Sequence, residues 1–410
     1  MPESDSALRH FKTWFWRPPR PHGDTIIDRR VSPLELLYDL VYVAVISQAG
    51  HQLAAHVSLT GVADFAVVIS VTWLAWINGS LYLELHGRPD GRTRSYVFVQ
   101  MGILAVLAVF AGDAGEGSGA QFAITYAVFL AVTTWLWYTV RRQDAIERPE
   151  FLPDTGRYVV AMAVTVAVMT ASAFLPARTR IAVWAVMVVG WALLLALMGR
   201  ARIGLGGGLT PTESLVERFG TFTIIVLGEV VFGVVVGLSA GAHDLKTIST
   251  GMIALTVGFG FWWLYFDLVG GRLPKRDGRA LANWILSHLP VALSIAAAGA
   301  GMVSLLANAH AERTPAATAW LLSGAVAIGL LALILTMRAL TDAERLAVAY
   351  RPIEIAMAAG AVVSVGIGFT RPAPWLLALL LVLVLGLVWA VAVRGFLLAG
   401  GWVVEEAAVR

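Results

Sequence analysis

Twelve apolar stretches divide this chain, and each is long enough to cross a lipid bilayer. A helix needs about 20 consecutive apolar residues to span the bilayer core. The stretches cover residues 33–57, 60–85, 94–112, 118–140, 156–175, 179–199, 212–240, 246–270, 280–307, 315–340, 352–370 and 373–398. Lipid offers no hydrogen-bond partners to an open backbone, so such stretches are restricted to helices. We therefore predict an all-α, polytopic integral membrane protein.

Composition supports this class and excludes several kinds of chemistry. Of the 410 residues, 58% are hydrophobic and only 14% are charged, whereas soluble proteins carry about a quarter charged residues. The absence of cysteine excludes disulfides, thiolate metal sites and thiol nucleophiles. The eight histidines show no metal-binding spacing, and no phosphate-loop or serine-nucleophile motif is present. We expect no cofactor, no metal and no nucleic acid; the expected partners are membrane lipids and a small ion.

Lysine and arginine are distributed very unevenly between the two sides of the predicted membrane. One side, which holds both termini, carries 24 of the 30 basic residues, and the other side carries five. The last one, Arg218, lies inside the seventh span. The positive-inside rule then predicts that both termini are cytoplasmic. In a bacterium this would be the inner membrane.

The two halves of the chain resemble each other. Residues 81–85 and 264–268 match at an offset of 183, and Glu35 to Ser47 aligns with Glu217 to Glu229 at 182. An even number of spans in each copy predicts two parallel six-helix repeats. The predicted segments are a cytoplasmic N-terminal segment at 1–32, repeats at 33–200 and 212–400, a glycine-rich linker at 201–211 and a cytoplasmic tail at 401–410.

Glu229 is the polar residue with the least obvious structural explanation. It lies roughly 18 Å beyond Glu217 along the same span, near or past the membrane midplane. A side chain this short cannot reach water from that depth, and a buried acid is costly. We interpret Glu229 as an ion ligand or a protonatable group. Gly233 and Gly237, in small-xxx-small spacing, would let another backbone approach closely.

Other polar residues form a cytoplasmic layer and a deeper layer. The predicted ion or proton site consists of Glu229, His288, Asp39, Gln48, His51, Asn78 and Gln100. A cytoplasmic vestibule, or alternatively a set of structural ion pairs, consists of Glu35, Glu84, Glu217, Arg218, Asp267 and Glu354. An alternative reading makes Asn78, Gln100 and His288 hydrogen-bond partners between helices. For Arg218, the predicted partner is Glu84 or Asp267.

Several motifs resemble the bacterial low temperature requirement A family. They are residues 32–43, the Glu-Arg-Phe-Gly to Leu-Gly-Glu stretch at 217–229, residues 262–267, and His288-Leu-Pro290. The resemblance covers nearly all of residues 30–400. It implies a multi-span membrane protein named for a growth requirement in the cold, and it implies no particular reaction.

A weaker resemblance is to the lysosomal potassium channel family, whose six-span repeats open with a Phe-Ser-Asp signature. Here Leu37-Tyr38-Asp39 is loosely similar to that signature, and Trp76-Ile-Asn78 is loosely similar to the family's Trp-x-Asn-His region in span two. The serine of the signature and the family's histidine pair are missing from this chain. If a pore needs four copies of the repeat, two repeats in one chain would favour a homodimer.

Three functions remain open from the sequence. The first is passage of H⁺ or a monovalent cation through Glu229. The second is an integral-membrane enzyme or lipid-handling protein, and the third is a structural or sensory protein whose acids only pair with arginines. An enzyme is the less favoured class.

Overall fold

The computed structural model describes residues 11, 15, 17–24, 29–201 and 211–398. Within these residues it contains twelve long α-helices and no strand, which confirms the all-α prediction. The helices are α1 (Pro33–Ala55), α2 (Leu59–His86), α3 (Gly91–Ala111), α4 (Gly119–Glu147), α5 (Leu152–Ser172), α6 (Ala177–Ala201), α7 (Glu213–Ala240), α8 (Leu245–Leu268), α9 (Gly278–Ala307), α10 (Ala316–Arg338), α11 (Ala347–Thr370) and α12 (Pro374–Leu398). Most of the linker and N-terminal segment, and all of the tail, lie outside the described residues.

Hydropathy located every helix but misjudged some of the ends. Helix α4 continues to Glu147, seven residues beyond its predicted end, and α11 begins at Ala347 rather than 352. The extra turns of α4 are mostly polar, and those of α11 include Tyr350 and Arg351. Apolar sequence marks where a helix lies in lipid, whereas backbone hydrogen bonding continues beyond that region.

Eleven of these helices are long and apolar enough to cross a membrane. Helix α1 is the exception, because Glu35, Asp39, Gln48, His51 and Gln52 lower its hydropathy. Four helices start where a side chain accepts a hydrogen bond from the backbone in the first turn, as an N-cap does. The capping residues are Asp90, Thr212, Asp244 and Asp277.

The chain divides into two compact units. The first contains the described residues up to Ala49 and from Val67 to Ala201; the second contains Gly50–Ala66 and the described residues from Pro211 onward. In the first unit α4 packs against both α3 and α5, and α5 against α6.

The second unit is a closed ring of helices. Helix α7 packs on α9, α9 on α10, α10 on α11, α11 on α12, α12 on α8, and α8 again on α7. Helix α9 carries a run of small residues at 296–301, and small residues let neighbouring backbones approach closely. This run faces the middle of α7, so it determines the surroundings of Glu229.

Candidate functional site

Glu229 lies in the middle of α7 and is 9% exposed. It is 16 residues from the start of the helix and 11 from the end, which is roughly 24 Å and 16 Å of helix. Val226 and Val230 beside it are completely buried. Glu229 is therefore flanked by buried apolar residues on its own helix and lies too deep for a short side chain to reach the membrane surface.

The backbone at Glu229 is in close contact with α9. A Cβ atom added to Gly299 would lie 2.6 Å from the carbonyl oxygen of Glu229 and 3.1 Å from the amide nitrogen of Val230. One turn further on, a Cβ atom on Gly233 would collide with the carbonyl oxygen of Gly299. The close approach predicted for Gly233 is therefore confirmed. Gly237 instead faces the side chain of Leu306.

The ring of His288 packs against three aromatic rings. Its ring is 4.5 Å from the ring of Trp284, 4.7 Å from that of Phe219 and 5.8 Å from that of Tyr265. The Nδ1 atom is 2.6 Å from the carbonyl oxygen of Trp284, and Nε2 is 3.1 Å from the hydroxyl of Tyr265. In one tautomer, Nδ1 donates to the carbonyl and Nε2 accepts from the tyrosine. Both ring nitrogens are then satisfied by protein.

Glu229 and His288 occupy different levels of the second unit. His288 contacts Phe219 near the start of α7, whereas Glu229 contacts Gly299, eleven residues after His288 on α9. Eleven helical residues correspond to roughly 16 Å. The structure therefore does not bring these two predicted site residues together.

In the first unit, Asp39 is completely buried and interacts with a tryptophan. The indole nitrogen of Trp76 on α2 donates to Asp39 Oδ1 at 2.8 Å. The hydroxyls of Tyr38 and Tyr42, on the same helix, lie 2.8 Å apart. Gly79 is needed beside them, because a Cβ atom there would collide with the hydroxyl of Tyr38. Asp39 is thus hydrogen-bonded between α1 and α2.

Asn78 and Gln100 are buried and both make hydrogen bonds between helices. Asn78 donates to the carbonyl of Leu74 at 2.7 Å and accepts from the hydroxyl of Tyr158 on α5. Gln100 on α3 donates to Thr133 Oγ1 on α4 at 3.0 Å. These contacts agree with the alternative interpretation, in which both amide side chains are hydrogen-bond partners between helices.

Gln48 and His51 are exposed on α1. A Cβ atom on Gly112, at the end of α3, would lie 3.3 Å from the carbonyl oxygen of Gln48. Gln48 is therefore level with the C-terminal end of α3, whereas Asp90 is at the N-terminal end of that helix. The structure does not place these two residues in a buried polar site, because α1 turns their side chains outward.

Predicted vestibule residues mostly form ion pairs and hydrogen bonds at helix ends. Arg29 binds Glu35 at 2.5 Å and also binds Glu84. Asp267 accepts from the indole nitrogen of Trp389 at 2.9 Å.

The three remaining vestibule residues, Glu217, Arg218 and Glu354, lie in the second unit. Arg338 contacts both carboxylate oxygens of Glu354, at 3.1 and 2.8 Å. Glu217 is exposed, whereas Arg218 is completely buried. The pairing of Arg218 with Glu84 or Asp267 stays a prediction.

The sequence analysis did not predict that residues 17–24 bind to the end of α2. This segment is called the latch below. Arg20 donates through Nε to the carbonyl of Gly87 at 3.0 Å and through Nη2 to that of Glu84 at 2.6 Å, covering the end of α2. Burial, followed by the nearby charge of Arg29, lowers the pKa of Arg20 from its usual value. The only sequence signal was a cationic side chain shortly before the first span.

The same latch includes a buried histidine–aspartate pair. Both the backbone nitrogen and the Nδ1 atom of His22 contact the carboxylate of Asp144, at 3.1 and 2.8 Å. Thr155 donates to that carboxylate at 2.8 Å. Asp144 is completely buried, so it joins the latch, α4 and α5. Among the residues the structure describes, no group of three or more metal-binding side chains occurs.

In the part of the chain that the structure describes, eleven helices of membrane length define a multi-pass membrane protein. The family model described as Bacterial low temperature requirement A protein (LtrA) matches residues 30–393. The chain therefore belongs to this family.

The chain is also similar to a curated protein of Rhizobium meliloti (strain 1021) described as "Uncharacterized protein RA0937". The two are 26% identical over 248 residues. The match covers 57% of this chain and 57% of that protein, so it spans little more than half the length of the relative. No solved structure matches the chain.

Proposed function

We propose that this protein passes a small ion, H⁺ or a monovalent cation, across the membrane, and that Glu229 is the group that binds it. The burial of Glu229 at the middle of α7 carries the proposal. An ionisable side chain is expensive at this depth and is commonly part of an ion or proton pathway.

The glycines around Glu229 support the same proposal. Gly299 and Gly233 bring the backbones of α7 and α9 together at the level of Glu229 and one turn beyond it. Such a contact fixes the backbone of Glu229 against α9. His288, roughly 16 Å away along α9, has no direct role in this proposal.

Ion flux into liposomes tests the proposal. Wild-type protein is reconstituted into liposomes that contain the pH dye pyranine. A K⁺ diffusion potential set by valinomycin then drives H⁺ across the membrane. Na⁺ and K⁺ fluxes are tested separately with gradients of each ion. Glu229→Gln keeps the size of the side chain but removes the titratable group, and should lower the flux roughly tenfold or more. Glu213→Gln, an exposed acid at the start of the same helix, should retain the wild-type flux. Equal flux from wild type and Glu229→Gln, or none above empty liposomes, contradicts the proposal.

A non-transporting structural protein is the second candidate. It is favoured by the hydrogen bonds that hold Asp39, Asn78, Gln100 and His288, each to a partner on another helix. Buried polar groups with protein partners stabilise helix packing without any transport role. In that case wild-type liposomes show no flux, and Glu229→Gln changes only thermal stability.

For the membrane arrangement, we propose two parallel repeats, α1–α6 and α7–α12, in the inner membrane with both termini cytoplasmic. The internal sequence matches support the repeats, and α4 packs on α5 as α10 packs on α11. The unequal distribution of basic residues supports the orientation. Cleavage of a C-terminal tag by protease added outside spheroplasts would contradict it.

A further inference from the structure

A pocket of about 1000 Å³ opens in the first unit, beside the starts of α1 and α3 and the end of α2. Four arginines line it, together with one glutamate: Arg29, Arg30, Arg88, Arg94 and Glu35. Arg29 is bound to Glu35 and Glu84 at the base of the pocket. The remaining cationic side chains leave the pocket with a clear positive charge.

The walls change from cationic to apolar with depth. On α3, Arg94 is in the first turn and Phe98 lies one turn deeper on the same face, since residues four apart in a helix are neighbours. Phe98 is 72% exposed, and Leu37, in the second turn of α1, is 50% exposed. Both line the pocket. Hydroxyl groups of Thr93 and Ser95 lie at the charged level.

Two helices also begin at this pocket. Helix α1 starts at Pro33 and α3 at Gly91, and the N-terminal end of a helix favours a negative charge. The carboxylates of Asp90, which caps α3, and of Glu35, in the first turn of α1, already occupy these two ends. The positive field of the pocket therefore comes from Arg30, Arg88 and Arg94. The pocket therefore attracts an anion at its mouth and an apolar chain further in.

We propose that this pocket binds an anionic glycerophospholipid of the leaflet that faces it. The phosphate would interact with Arg30 and Arg94, both of which are exposed, and an acyl chain would lie along Leu37 and Phe98. A basic pocket between membrane helices is suited to an anionic headgroup. A soluble phosphate would use the arginines but leave the apolar wall uncovered, which is why the lipid is the better match. This proposal does not depend on ion passage through Glu229.

Native mass spectrometry of the full chain in a mild detergent tests this site. Wild-type protein is titrated with dioleoyl-phosphatidylglycerol and, separately, with dioleoyl-phosphatidylcholine. Wild type should bind phosphatidylglycerol preferentially, and Arg30→Gln/Arg94→Gln should bind it roughly 10- to 30-fold more weakly, since each surface cation contributes about a factor of five. Arg30→Lys/Arg94→Lys, which keeps both charges, should retain most of the binding.

Matched controls separate this site from general attraction. Arg142 and Arg345 are exposed arginines outside the pocket, so Arg142→Gln/Arg345→Gln removes the same charge and should bind phosphatidylglycerol like wild type. Thermal unfolding confirms that each variant is folded. Equal binding of the two lipids, or equal losses in both double glutamine variants, overturns the proposal. Complete displacement of the lipid by millimolar glycerol 3-phosphate or inorganic phosphate would assign the pocket to a soluble anion and likewise overturn it.

Discussion

Gly299 lies directly against the backbone of Glu229, with only 2.6 Å between the position of a Cβ atom on Gly299 and the Glu229 carbonyl oxygen. The atoms that a methyl group would meet all belong to the backbone of α7. Backbone atoms cannot rotate away as a side chain could. The helices α7 and α9 can approach to this distance only because Gly299 has no side chain.

We therefore expect Gly299→Ala to destabilise the protein. The added methyl group would force α7 and α9 apart and should cost about 1–3 kcal/mol, as overpacking does. Gly324→Ala on α10 is the matched control, because nothing lies within 4 Å of its Cβ position. That change should be neutral or slightly stabilising, since alanine is the better helix former. Thermal unfolding in detergent compares the two, and equal midpoints would show that the close contact has no energetic role.

Asp144→Ala should release the latch formed by residues 17–24. The change leaves the backbone and ring of His22 and the hydroxyl of Thr155 without their common acceptor, at a cost of about 2–4 kcal/mol. Asp154→Ala, on the same side of the first unit, removes an ion pair with the largely exposed Arg157 and should cost about 0–1 kcal/mol. Limited proteolysis should cut the latch segment sooner only in Asp144→Ala. Similar cleavage in both variants would count against the latch.

Acid should weaken the start of α8 through Asp244. Its carboxylate accepts from the amide of Thr247 at 2.8 Å and lies 2.7 Å from His310 Nε2. The amide hydrogen bond, with a smaller effect of His310, lowers the pKa of Asp244. The stabilisation is thus fully present above the unfolded pKa of about 3.9 and is lost as the pH falls through the lowered folded value.

Asp244→Asn provides the comparison, because asparagine keeps the capping oxygen but does not titrate at this pH. Unfolding midpoints of wild type and Asp244→Asn are measured from pH 6 to pH 3. The advantage of wild type should shrink below about pH 4. The effect should be small, since the group is at the surface. A difference between the two proteins that stays constant over the whole range would rule out this linkage.

Local sequence was sufficient to predict the helices from hydropathy and the family from its motifs. It could not predict the surroundings of each polar residue. Gln48 and Asp39 lie on one helix, yet Gln48 is exposed whereas Asp39 is completely buried against Trp76. Nine helical residues make about two and a half turns, so the two side chains lie on opposite faces of α1. Which face is buried depends on the neighbours of α1 in the folded unit.

Other parts of the site escaped sequence reasoning because their partners are distant in the chain. Arg29 lies in a polar segment and binds Glu84, 55 residues away, and His22 binds Asp144 across 122 residues. Gly299 carries no chemical signal at all, and its importance appears only when α9 is placed against α7. Glu229, by contrast, could be found from sequence, since depth and charge together are visible in one helix.

The most direct test of the central claim is whether water and ions reach position 229. Because the chain has no cysteine, Glu229→Cys introduces a single thiol that can be probed in liposomes with small charged methanethiosulfonate reagents. Phe232→Cys is the control, since Phe232 is on the same helix at nearly the same depth and is 57% exposed on the outer surface, where lipid would cover it. We predict that the thiol at 229 reacts and the thiol at 232 does not. Equal protection of both thiols would contradict an ion pathway through Glu229.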